Sequence, residues 1–140
     1  NEIILKKDLI DEAKIYWISN YKIIISYDKL NKSEILNLKN NNIINLNGKV
    51  YGVSSDGKNY FMYDKLDDKV KLFNSDNKEI LAEFENPITE AFLIGDLAIL
   101  IWRQESMWIE SIVKIYNIKT KKMIKEIKSK KNHYYFLGYK

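Results

Sequence analysis

The residues best equipped for chemistry in this sequence are aromatic and basic rather than nucleophilic. There is no cysteine, so neither a disulfide nor a thiolate metal site is available. The single histidine, His133, stands beside Tyr134 and Tyr135 with no local partner to orient it as a general base, and reads as an ordinary strand residue. Three clusters remain. Trp102 and Arg103 adjoin, and a guanidinium can stack on a ring. The segment Gln104–Glu110 follows, and its Met107 and Trp108 offer an apolar anchor of the kind that dominates binding hot spots. Finally, residues 119–140 hold eight lysines against Glu126 alone.

That basic tail carries a local charge of +7, which leaves −3 on the remainder of a chain whose formal net charge is +4. Lys121, Lys122 and Lys125 beside later aromatics are the candidate anion or nucleic-acid contacts, since a basic surface releases the counterions condensed on a phosphate backbone. Bidentate base reading favours arginine, however, and Arg103 is the only arginine in the chain. Nucleic acid is therefore the weaker expectation, and a solvated hairpin whose lysines protect an edge strand is the stronger one. Asp64, Asp67 and Asp68 share one turn, and Asn74 to Glu79 alternates oxygen-bearing side chains. Neither run has the regular spacing, bend glycine and closing glutamate of a calcium loop. No phosphate-binding glycine loop, nucleophile elbow or paired-carboxylate spacing is present, so no cofactor, no metal and no catalytic residue are expected.

Positioning these side chains falls to strands. Alternation at period two outweighs helical periodicity along most of the chain. Segments 14–19, 21–27, 49–54 and 59–64 are β-branched and aromatic, and polar turns separate them, including Ser55-Asp56-Gly57-Lys58 with its Asp-Gly signature. Trp17 falls in an alternating strand and reads as core. Two helical alternatives exist, a short turn from Asp8 to Ala13 and the run Lys119–Lys131; the second gives way to a strand because of a repeat. Residues 70–84 (Val70-Lys-Leu-Phe-Asn74, turn, Ile80-Leu-Ala-Glu-Phe84) superimpose without a gap on 113–127 at an offset of 43, and residues 25–38 match more loosely at 46.

A period in the forties made of strands marks propeller blades. On those residues the chain resembles the WD-repeat and quinoprotein-type β-propellers, in the outer hairpin of the blade. Val50 to Lys58 resembles the family's inner strand and its Asp-Gly turn. The tryptophan-aspartate and glycine-histidine signatures are missing: the outer aromatics Tyr27, Phe73 and Tyr116 precede Asp28, Asn74 and Asn117. The expected fold is all-β, with about three antiparallel four-stranded propeller-like blades near 1–40, 41–86 and 87–131, and residues 132–140 opening a further strand. A β-sandwich or small barrel is the alternative.

Size bounds the rest. With 140 residues, one domain is expected; 46% hydrophobic and 13% aromatic residues exclude a disordered chain. The longest apolar run, 91–102, holds 12 residues with Asp96 inside, too short for a membrane span. The chain opens at Asn1 without a leader pattern, so removal of upstream residues is expected, and its composition fits an exported bacterial protein and a cytoplasmic one alike. Propellers close with about four to eight blades, so three imply completion by self-association into a homo-oligomer or by more chain. The expected function is a non-catalytic scaffold that binds a protein partner through Trp102, Arg103, Met107 and Trp108. A glycan-binding lectin comes second, part of a propeller enzyme third.

Overall fold

A computed structural model describes residues 13–104 and 110–129. Every regular element among them is a strand. The first sheet is a meander of β1 (Ala13–Ser19), β2 (Lys22–Tyr27), β3 (Lys32–Asn37) and β4 (Asn42–Leu46). The second comprises β5 (Val50–Val53), β6 (Asn59–Asp64), β7 (Lys69–Asn74) and β8 (Ile80–Glu85). The third comprises β9 (Glu90–Ile94), β10 (Leu97–Gln104), β11 (Glu110–Asn117) and β12 (Lys122–Ser129). All pairings inside the sheets are antiparallel, and the sheets do not close into a barrel. The propeller-like reading holds, and residues 122–129 are a strand rather than the alternative helix. One boundary shifts. Asn42–Leu46 pairs with β3, so the first sheet runs to Leu46 instead of ending near residue 40. The asparagines of this segment, a residue type depleted in strands, give little sign of a strand there.

The three sheets meet along their first strands. Ser54 and Leu93 form a parallel bridge between β5 and β9, and the Ser55 amide donates to the Leu93 carbonyl at 3.3 Å. This approach requires Gly52, because a Cβ there would stand 1.8 Å from the Ala91 carbonyl oxygen. Away from this contact the space between sheets fills with larger side chains. Ile18, Ile24, Ile35, Val50, Tyr60 and Met62 pack between sheets one and two. Phe61, Val70, Leu72, Phe84, Leu93 and Leu100 pack between sheets two and three. Consecutive residues of β6 and β7 therefore bury on opposite faces, the pattern of strands covered on both sides.

The 43-residue repeat is visible in backbone detail. The β7–β8 register slips between Leu72 and Phe73, leaving Leu81 unpaired, and the β11–β12 register slips between Ile115 and Tyr116, leaving Ile124 unpaired. Each hairpin turn holds one lysine at positive φ, Lys78 at 59° and Lys121 at 56°. In each, an asparagine side chain accepts a backbone amide three residues on: Asn74 from Asn77 at 3.3 Å and Asn117 from Thr120 at 2.9 Å. These are Asx turns, which asparagine makes by bonding its own downstream backbone.

Candidate functional site: an apolar cleft between the second and third sheets

Trp102 sits near the end of β10 and pairs across the sheet with Ile112. Alternation turns Ala98, Leu100 and Trp102 to the side that faces the second sheet, where β8 supplies Phe84 and Glu85 and the following segment supplies Pro87 and Ile88. The core between these sheets fills the space down to Leu100 and then stops. What is left is a cleft of about 180 Å³, walled by Trp102, Ile112, Tyr116, Phe84 and Ile88. Its floor is aromatic: Tyr116 meets Phe84 edge-on at 5.3 Å between centroids, and Phe84 leans on buried Phe61 at 6.0 Å.

The rim is charged with both signs. Lys114 lies 3.9 Å from Glu126, which also holds Lys128 at 3.0 Å, and Glu85 is exposed at the opposite lip. Burial, then the nearby charges of Glu126 and Glu85, push the Tyr116 phenol above its ordinary value.

Trp102 and Arg103 do not share a surface. Adjacent strand residues point to opposite faces, and Arg103 pairs with Glu90 at 3.1 Å on the side away from the cleft. The stacked pair suggested by their adjacency is thus corrected. Met107 and Trp108 lie outside the described residues, as does His133. The three lysines also part. Lys121, in its left-handed turn, lines a groove against Ile80, Leu81 and Glu83 of β8. Lys122 and Lys125 pair with Asn117 and Ile115, and the bulge at Ile124 brings both to the other face.

One feature escaped the sequence reading. Trp17 is 62% exposed rather than core. It lines a groove along the first strands with Lys14, Tyr16, Tyr51, Ser54 and Glu90, and a second depression shared with Asp56. Alternation assigned Trp17 a face but could not say whether anything covers that face. Tyr16 donates to the Val50 carbonyl at 3.4 Å, and Asp28 receives Lys14 at 3.5 Å and Lys49 at 3.3 Å. Among the described residues no group of three His, Asp or Glu side chains is placed to hold a metal ion, and no helix is long and apolar enough to cross a membrane.

No family model matches the chain, and no curated protein sequence matches it significantly. Solved structures do. Hydrazine synthase of Kuenenia stuttgartiensis matches with a TM-score of 0.60 at 11% identity, over 91% of this chain and 40% of that one. The β-propeller domain of the Trilobed protease from Pyrococcus furiosus, which has an open velcro topology, matches with a TM-score of 0.50 at 13% identity, over 84% of this chain and 43% of that one. With three antiparallel four-stranded sheets, these likenesses define the class as a β-propeller-like module. The chain spans about two fifths of the length of each of these two structures.

Proposed function

We propose that this module is a non-catalytic binding scaffold that receives a protein partner in the cleft between its second and third sheets. The observation that carries this reading is the unfilled apolar space beside Trp102. Its volume of about 180 Å³ exceeds that of an apolar cavity able to hold benzene, about 150 Å³. One phenylalanine or leucine side chain of a partner segment fits it, with Lys114 and Glu85 at the lips to pair with that segment's backbone or charges. A buried aromatic anchor ringed by polar groups is the usual energetic centre of a protein interface.

The non-catalytic part of the reading draws support from how the ionisable groups are used. Lys71 holds Asp64 at 2.8 Å and Asp67 at 2.6 Å, Arg103 holds Glu90, and Lys119 holds Asp96 at 2.7 Å, all as structural pairs on separate turns and strands. The separation of Lys121 from Lys122 and Lys125 removes much of the support for a nucleic-acid grip.

The test is selection of binders from a random peptide display library, followed by affinity measurement on Trp102→Ala and Ile112→Glu. Peptides with a single large apolar anchor, each losing at least about tenfold in affinity on both variants, would support the reading. Selected peptides that bind both folded variants as they bind the parent would overturn it.

A further inference from the structure

The Asp56 turn meets the end of β1 beside Trp17. The contact is close: a Cβ on Gly57 would stand 2.5 Å from the Ile18 carbonyl oxygen, and Gly57 adopts a φ of 69°. The depression formed there is lined by Trp17, Ser19, Asn20, Tyr21, Ser55 and Asp56. Asp56 is fixed in place. Its Oδ1 accepts the Ser54 hydroxyl at 2.6 Å and the Lys58 amide at 3.0 Å, while the Ser54 oxygen accepts the Asn59 amide at 2.9 Å. These side-chain bonds both fall on Oδ1, and Asp56 is an exposed residue. They also hold the carboxyl below its ordinary range, the Ser54 hydroxyl first, so Asp56 is an anion.

Trp17 supplies the complementary half. Its indole is mostly exposed, with no ring partner among the described residues, whereas the neighbouring Tyr21 ring already carries the Lys39 ammonium at 3.6 Å from its centroid. An exposed indole beside a preorganised carboxylate, an amide and two hydroxyls matches a ligand with one C–H face and adjacent hydroxyl groups. An organic cation is the other chemistry that such a pair could attract. Lys39 on Tyr21 and Lys58 in the Asp56 turn offset the single carboxylate and leave the rim without net negative charge.

We infer that Trp17, Asp56 and Asn20 form a carbohydrate site at the end of the first strands, in which a pyranose ring lies on Trp17 and two of its hydroxyls reach Asp56 Oδ2 and the Asn20 amide. This site is separate from the Trp102 cleft, so either can fail without the other.

The experiment is a nuclear magnetic resonance titration of the intact chain, following the Trp17 indole N–H. The probes are the methyl glycosides of glucose, galactose, mannose and N-acetylglucosamine, with tetramethylammonium as the cation control. At least one glycoside is expected to shift the Trp17 signal saturably. Trp17→Ala and Asp56→Asn should each weaken that binding by at least about tenfold, and Trp17→Tyr should retain most of it. Asp56→Asn keeps the acceptor for Ser54 and Lys58, so the turn survives the change. The inference is overturned if no glycoside shifts Trp17, if both weakening variants bind like the parent, or if tetramethylammonium alone shifts the signal.

Discussion

The Ser26 and Ser33 hydroxyl oxygens lie 3.0 Å apart in the seam between the first and second sheets, and both reach the backbone of the strand next door. Ser33 has one proton to give, and its shorter contact is to the Gly48 carbonyl at 2.9 Å. The Val50 amide donates to Ser26 at 3.0 Å and lies 3.2 Å from Ser33. All four residues are buried. A polar pair thus satisfies the chain where it crosses from one sheet into the next.

Ser33→Ala is expected to leave the Gly48 carbonyl buried and unpaired, at a cost of about 1–3 kcal/mol. Urea unfolding measures it. Because either hydroxyl can still accept the Val50 amide when the other is gone, the double change Ser26→Ala with Ser33→Ala should cost more than the sum of the single ones. Additivity would mean the pair does not act as a unit.

Gly52→Ala should be the most damaging small substitution along the first strands. Its methyl group would overlap the Ala91 carbonyl, a backbone atom that moves only with its whole strand. A loss of about 3 kcal/mol or more is expected from such overpacking. Gly95→Ala offers the contrast. A Cβ there meets nothing within 4 Å, although its φ of 57° adds local strain, so the loss should be the smaller one.

Acid should weaken the turn between β6 and β7. The Lys71 ammonium, and then the Leu66 amide, hold Asp64 below its ordinary value of 3.8. A carboxyl depressed in the folded state contributes stability above that ordinary value, and the contribution is lost as pH falls through the lower folded one. Lys71→Met should bring the Asp64 titration, followed by carbon-detected nuclear magnetic resonance, back toward 3.8. An unmoved titration would count against the ion pair as the main cause.

Alkali gives the opposite sign at Tyr16. Burial, with the charges of Asp28 and Glu90 behind it, pushes this phenol up to about 12 from 10.0. A group that ionises later when folded contributes stability fully below the unfolded value, and loses it as pH rises through the folded one. The phenolate absorbance of Tyr16, isolated by difference against Tyr16→Phe, should therefore appear well above pH 10. Appearance at the ordinary value would place Tyr16 in solvent.

Much of the architecture was legible because turn chemistry repeats along with apolar alternation. Asn74 and Asn117, and the positions taken by Lys78 and Lys121, are written in the sequence at one fixed offset. The fourth strand of the first sheet was obscured by its asparagines, since a strand outside the core needs few of the residues that advertise strands. The site was half legible. Trp102 was singled out from its sequence context, but chain adjacency had joined it to Arg103, and only the pleat shows that the two part. Trp17 and Asp56 come together through packing between β1 and the β5–β6 turn, a relation with no sequence spacing to betray it.

The glycine at the meeting of β5 and β9 also governs what happens far from it. Sheets that touch backbone to backbone on one side and diverge on the other behave like the leaves of a book, and Gly52 and Ala91 lie at the spine. A side chain at position 52 would force the spine apart and is expected to widen the pages at Trp102 and Phe84. Under the proposed binding role, residues at the spine that do not line the cleft are expected to set the size of anchor it accepts.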